Sequence, residues 1–306
     1  MNALKRISNI FESAIQVPFD DTSRIVFMSD CHRGDGGHAD EFRKNRPIYQ
    51  AALMHYYNEN YTYMEIGDGD ELWENKDYYE IIHANGGIFK QLSSFYKEER
   101  LYFIYGNHDL VKKNNDYVKD NLYGYYSEHR KHNIPLFENL KIHEGIVLYH
   151  RITKDKILLI HGHQVDFINN ELWRLSRFLV RYLWKPLNYY GINDPTRTAK
   201  NYKKKNKVDR MLLKWVSNNK HMLIAGHSHR PIFPEIGQLP YFNDGSSVHP
   251  SCITAIEIIA GQIRLVKWSM KARDDGTLFV GRDLLAGPSV IREYFKGLDE
   301  TAHVSL

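Results

Sequence analysis

Residues 25–32 read IVFMSDCH, an apolar, strand-like run that stops at Asp30, Cys31 and His32. The same pattern returns four times. YTYMEI runs into GDGDE at 67–71, LYFIY into GNHD at 106–109, KILLI into HGH at 161–163 and HMLIA into GHSH at 226–229. Five polar clusters therefore sit where five strands stop. In open α/β sheets, loops from several strands converge beyond the carboxyl ends on rigid supports, and ligands gather there. Asp, Asn and His from five distant segments meet at one place, which is the composition of a metal site.

Working outward, the strands alternate with helical segments. A helix is expected from about Pro47 to Asn58, and others flank Gly86 and Gly87; such alternation predicts parallel pairing. KIHEGIVLYHRITKDKILLIHGH (141–163) reads instead as a hairpin turning near Lys154 and Asp155, with antiparallel strands beside the fourth cluster. Short strands YFNDGSS, CITAIEII and QIRLVKWSM follow GHSH, the last two joined at Ala260 and Gly261. Leu4, Ile7, Ile10, Phe11, Ala14 and Ile15 fall at helical spacing, predicting an amphipathic helix over 3–16 that ends before Pro18. A mixed pair of sheets with helices outside accommodates these elements.

Two segments stand apart. NELWRLSRFLVRYLWK (170–185) sets Glu171, Arg174, Arg177, Arg181 and Lys185 on one stripe, with apolar residues over the rest of its circumference. The basic, tyrosine-rich NYYGINDPTRTAKNYKKKNK (188–207) suggests a surface loop or second helix, and together they predict a helical cap inserted at about 168–210 in a domain spanning 1–275. From about Asp275 a strand TLFV, a turn and a short helix near Val290 to Lys296 are expected, so that 276–306 forms an extension packed on the domain.

The 306 residues, 42% hydrophobic and 25% charged, can bury a full core. Apolar stretches fall far short of the roughly 20 residues that span a bilayer, and no signal peptide is visible, so a soluble, cytoplasmic protein is expected. Cys31 and Cys252 are too few for a disulfide framework or a thiolate zinc site. A net charge of +4 does not by itself imply nucleic-acid binding.

In an extended run, Asp30 and His32 point to the same side and reach one ion. Asp68, between Gly67 and Gly69, is placed to bridge two ions, while Asn107, His161, His227 and His229 supply further donors. Mixed N and O ligands favour manganese, iron or zinc. Two such ions would hold a hydroxide for in-line attack on a phosphoryl group. His108, facing away from the ligands by alternation, is the expected general acid, and Asp109 its orienting carboxylate. Arg33 is the expected phosphate contact, and His163 is placed to face substrate.

Each cluster alone is ordinary turn chemistry, and a lone His is more often packing than a ligand. Their joint order at strand ends, from residue 30 to residue 229, outweighs that. The other histidines lack such support, with His249 in its glycine-rich loop intermediate.

The ordered set DxH, GDxxE, GNHD, HGH and GHxH resembles the calcineurin-like metallophosphoesterases over roughly residues 24–270. The resemblance implies a four-layer αββα sandwich holding a dinuclear centre. Asp30, His32 and His229 would bind one ion, Asn107, His161 and His227 the other, with Asp68 bridging. It places the family's acid on His108 and makes Glu71 the supporting carboxylate of the second motif. DCHRG, GDGDELW, Trp73, Arg230-Pro231 and the helical insertion look most like the UDP-2,3-diacylglucosamine hydrolases, whose insertion forms a lid over an acyl pocket. Those enzymes carry Arg where this chain has His108, and Asp where it has His163.

The leading expectation is a two-metal phosphohydrolase acting on a phosphodiester, pyrophosphate or phosphomonoester, with a UDP-sugar lipid as one such substrate. The apolar, basic cap suggests peripheral contact with the inner face of a membrane. A nuclease with the same centre, or a non-catalytic metal-binding scaffold, are the rival readings. A nuclease needs a duplex-sized basic groove, whereas the basic residues here cluster in the insertion.

Overall fold

In a computed structural model of the chain, residues 3–127, 131–166, 177–178, 180–184 and 202–300 are described. The central strands bury both faces, and their period-2 alternation sorts side chains into separate cores. In β2 (Arg24–Met28), Ile25 and Phe27 enter one apolar cluster and Val26 and Met28 another. In β9 (Lys156–Ile160) and β10 (Met222–Ala225), Ile157, Leu159, Met222 and Ile224 share the first of these clusters with Ile25 and Phe27. Leu158, Ile160, Leu223 and Ala225 face a third.

Those clusters define the layers. A seven-stranded sheet contains β2, β3 (Thr62–Ile66), β4 (Leu101–Ile104) and β7 (Ile142–His143), all parallel, continued on the other side by antiparallel β12 (Cys252–Ile259), β13 (Gln262–Ala272) and β14 (Leu278–Val290). A five-stranded sheet runs β1 (Ile15–Phe19), β8 (Gly145–His150), β9, β10 and β11 (Tyr241–Asn243). The sheets meet across the first cluster. Outside the larger sheet lie α2 (Arg46–Asn58), α3 (Tyr78–Ala84) and α4 (Gly86–Lys97), contributing Tyr49, Leu53, Ile81 and Leu92. Outside the smaller sheet α1 (Ala3–Ser13) contributes Ile7 and Ile10, and α6 (Tyr202–Asn219) contributes Leu212, Trp215 and Val216. The chain is thus a helix–sheet–sheet–helix sandwich of the α/β class with mixed sheets. The remaining described α-helices are α5 (Asn115–Leu122) and α7 (Ile291–Glu300), and a separate antiparallel pair joins β5 (Gly124–Ser127) to β6 (His132–Pro135).

Two expectations change. The first helix stops at Ser13, and Ile15–Phe19 becomes an edge strand parallel to β8, where Pro18 is tolerated because an edge residue can lack its N–H partner. Residues after 275 complete the larger sheet rather than packing on it as an extension. The expected strand, turn and helix are one thirteen-residue strand, β14, and then α7. Register shifts between Ile263 and Val266 let the β13–β14 ladder continue past Gly287 and Pro288. The basic run Lys203–Lys205, expected in a surface loop or second helix, opens that second helix, and further along it packs Leu212, Trp215 and Val216 into the core. Of the expected cap over 168–210, only 177–178, 180–184 and 202–210 are described, so most of its helix over 171–184 lies outside the described residues. No described helix is long and apolar enough to cross a membrane.

Candidate metal centre

The strand-end clusters converge, but not by simple alternation. β2 ends at Met28, and Asp30 and His32 both take left-handed backbone, with φ of 49° and 47°. Asp68, His227 and His229 do the same at 51°, 67° and 51°. Asp and His tolerate this region better than most residues, yet it is sparsely populated and concentrates where surrounding structure enforces it. The enforcement is visible: the Asp30 N–H donates to Gly67 O at 3.0 Å, and the His32 N–H to Asp68 O at 2.9 Å.

Three groups of donor atoms form among the described residues. Asp30, His32 and His229 make one, Asp68, His161 and His227 a second, and His32, Glu71 and His108, already paired through the carboxylate, a third. His229 Nε2 lies 3.0 Å from Asp30 Oδ1, His32 Nε2 3.4 Å from His229 Nε2, and His161 Nε2 3.2 Å from Asp68 Oδ2. Metal–ligand bonds of about 2.0–2.2 Å place two donors on one ion roughly 3.0–3.5 Å apart, so these are the spacings of ligands around shared ions. Asp68 Oδ2 also lies 3.8 Å from His32 Nε2, which sets this one oxygen between the Asp30 group and His161.

Unpartnered atoms test the fit. Asp30 Oδ1, Asn107 Oδ1, His161 Nε2 and His227 Nε2 are buried with no hydrogen-bond partner. Each such orphan costs about 1–3 kcal/mol in a protein interior. These four are the members of the expected ligand set among the buried unpartnered atoms, which also include atoms elsewhere such as Asn45 Oδ1 and Asp209 Oδ2, and cations would satisfy the four together. Their other atoms are already committed. His161 Nδ1 sits 3.0 Å from Ile66 O and His32 Nδ1 2.9 Å from Glu71 Oε2, so each ring donates at Nδ1 and keeps its Nε2 lone pair for the centre. Asp30 Oδ2 accepts from the His227 N–H at 2.9 Å and from the Ser29 hydroxyl. Asp68 Oδ1 accepts from the His108 N–H at 2.8 Å, which brings the third cluster against the second.

The electrostatics are those of a site built for positive charge. Burial raises the carboxyl pKa of Asp30 and Asp68, but the surrounding imidazoles outweigh it and hold both well below the usual carboxylate range. For His161 burial lowers the pKa, while Asp68 and Asp30 overcome this and raise it to about 9, so a cation binding at Nε2 would displace a proton from it.

His108 is only partly buried, with 15% of its side chain exposed. Its Nδ1 lies 2.8 Å from the Glu71 carboxylate, and the Trp73 indole stacks on its ring at 4.1 Å between centroids and 19° between planes.

Three expected roles are corrected. Asp109 does not orient His108: its carboxylate accepts from the Gly106 N–H at 2.7 Å, the Gly69 N–H at 3.2 Å and Lys112 Nζ at 2.7 Å, tying two loops together. Glu71 holds the imidazole instead. Arg33 is 1% exposed and spends its guanidinium on Asp70 at 2.7 Å and on both oxygens of Glu65 at 2.6 and 2.8 Å, so no phosphate reaches it. His163 is fully buried with neither ring nitrogen hydrogen-bonded, and burial, then His161 and His227, holds its pKa well below the usual value. It faces the interior, not substrate.

Other participants went unread in the sequence. Asp244 ends a sixth strand, in NDGSS, and its Oδ1 lies 2.7 Å from the Ser29 hydroxyl that also serves Asp30. Burial, then Asp30, pushes its pKa well up. The strand-end position after YFN was the available signal.

Two solved structures of Chaetomium thermophilum Vps29 are similar to this chain. One is 11% identical at a TM-score of 0.41, covering 87% of this chain and 97% of that one. The other, complexed with the RaPID-derived cyclic peptide RT-D3, is 12% identical at 0.35, covering 86% and 95%. No curated protein matches by sequence. The family model of the calcineurin-like phosphoesterases matches residues 23–231, most of the chain and all five clusters, and the chain belongs to that family.

Proposed function

We propose that this chain is a metal-dependent phosphohydrolase of phosphodiesters, pyrophosphates or phosphomonoesters, with Asp30, His32, Asp68, Asn107, His161, His227 and His229 holding two divalent ions. One observation carries the reading: four buried ligand atoms without partners lie in a site that His108 borders, and His108 is held by a carboxylate. Bound there, manganese, iron or zinc ions supply Lewis acidity toward a phosphoryl oxygen and lower the pKa of water. The protein's own groups do the rest. Glu71 accepts from His108 Nδ1, which leaves Nε2 to carry a proton to the departing oxygen. Trp73, stacked on the ring, fixes its plane and excludes water from that face.

The particular substrate we put first is a UDP-linked acyl sugar, met at the inner face of a membrane. The resemblance of DCHRG, GDGDELW and GHSHRP supports it. So do Phe178 and Tyr182, 58% and 61% exposed with their rings tilted against each other at 5.0 Å between centroids, on the segment whose Arg181 reaches the loop after the second cluster.

Hydrolysis of bis(p-nitrophenyl) phosphate with added Mn²⁺, lost in Asp68→Ala, and of a dialkyl phosphodiester, lost in His108→Ala, is the expected result. Inactivity with every divalent metal would favour the scaffold reading. Salt-sensitive binding of duplex DNA would favour the nuclease. Turnover of simple monoesters with an inert UDP-acyl sugar would remove the lipid assignment alone.

A further inference from the structure

We infer that Arg181 is a positioning residue for the proton donor, tying the segment between the fourth and fifth clusters to His108. The inference rests on the phosphohydrolase reading above and names a residue that sets its leaving-group step.

The guanidinium of Arg181 donates from Nε to Trp73 O at 3.1 Å, and from Nη2 to Leu72 O at 2.7 Å and Asn75 O at 3.0 Å. Three carbonyls of one short loop converge on a planar fork, a match that an ammonium point charge cannot reproduce. The inner side of the same loop closes on Glu71. Its Oε1 accepts from the N–H groups of Trp73 at 3.2 Å and Glu74 at 3.3 Å, and its backbone O accepts from Asn75 Nδ2 at 3.0 Å. The loop therefore has a carboxylate anchor inside and a cationic clamp outside.

That loop delivers both groups that fix His108: the Glu71 carboxylate at Nδ1 and the Trp73 ring against the imidazole face. Among the described residues, the hydrogen bonds of Arg181 to this loop all go to its backbone carbonyls and none to these two side chains. The clamp acts on their backbone, from a residue more than a hundred positions away in sequence. Proton transfer falls off steeply when donor and leaving oxygen are misplaced, so loosening the loop costs the acid step first. Among the ligands only His32 shares Glu71 with this loop; His161 and Asp30 are held from outside it and are not expected to move.

Mixed phosphodiesters that share one methyl group and differ in the leaving group test this. p-Nitrophenolate departs without a proton, whereas an alkoxide needs one. Arg181→Gln is expected to lose about tenfold or more in kcat on the alkyl leaving group but less than about threefold on p-nitrophenyl, within the range a general acid contributes. Arg181→Lys keeps the charge and fails to restore the alkyl rate. In the metal-free protein, hydrogen exchange at the amides of 72–75 accelerates in both variants while the thermal midpoint holds. Equal loss across the series, no loss, or unchanged exchange would overturn the role of Arg181 while leaving the phosphohydrolase reading intact. A wild-type protein inert toward every diester would instead overturn that reading, and this inference with it.

Discussion

Glu71 holds two imidazoles with one carboxylate: His32 Nδ1 lies 2.9 Å from Oε2, and His108 Nδ1 lies 2.8 Å from the carboxylate, within reach of both oxygens. A ligand of the proposed centre and the proposed acid thus share a tautomer-setting partner. Burial raises the pKa of Glu71, but His108 and His32 outweigh it and keep the group ionised.

Glu71→Gln keeps the size but offers one acceptor oxygen, so one imidazole loses its partner. Supporting carboxylates of metal-bound histidines are worth about 10- to 100-fold in affinity or activity, and a loss in that range is expected in metal affinity by calorimetry, in kcat, or in both. Unchanged values of both would show that the shared carboxylate sets neither ring.

Gly106 is a glycine because of what lies over it. A Cβ there would stand 2.1 Å from Asp68 Oδ1 and 2.5 Å from Asp68 N. Gly106→Ala is expected to displace the Asp68 carboxylate and abolish metal loading, measured by elemental analysis. Gly86→Ala, where nothing lies within 4 Å, should bind normally. Full metal content in Gly106→Ala would refute the expected bridging role of Asp68.

Metal should also stabilise the fold, since the orphaned donors are buried only in the folded chain. At a hundredfold excess over Kd a single-site ligand contributes about 2.7 kcal/mol, so Mn²⁺ should raise the thermal midpoint and a chelator should reverse it. In His161→Ala the shift is expected to shrink; an undiminished shift would place the ion elsewhere.

The buried network beneath the site predicts the acid limb of stability. Burial raises the pKa of Asp70, yet Arg33 at 2.7 Å and Lys112 at 2.6 Å outweigh it and hold the carboxyl below its ordinary 3.8. A folded pKa lower than the unfolded one contributes stability that is complete above 3.8 and is lost as the pH falls below it. Asp70→Asn should flatten that loss in acid denaturation and cost about 3–5 kcal/mol at neutral pH by leaving two buried cations short of charge. Arg33→Ala should destabilise comparably with KM unchanged; a raised KM would return Arg33 to the substrate.

Much of this was legible before any coordinates. Apolar runs of strand length ending in DCH, GDGDE, GNHD, HGH and GHSH announce strands whose ends converge, because hydrophobic periodicity is a local property. Side-chain direction at those ends was not. Alternation requires extended backbone, and Asp30, His32, Asp68, His227 and His229 are in left-handed conformations fixed by partners elsewhere in the fold. Arg33 illustrates the same limit: an arginine after a ligand pair suits a phosphate or a buried ion network equally well, until Glu65 and Asp70 are placed beside it.

The sequence by itself determined the class of fold, the residue types of the centre and the position of a histidine fit to be the acid. Chain order and chemistry are written in it directly. Only the tertiary structure decided which carboxylate serves that histidine, that Asp109 ties loops together and Arg33 is buried, and that Arg181 reaches the Trp73 loop. Those relations depend on backbone direction and burial, which arise when residues a hundred positions apart are packed into one interior.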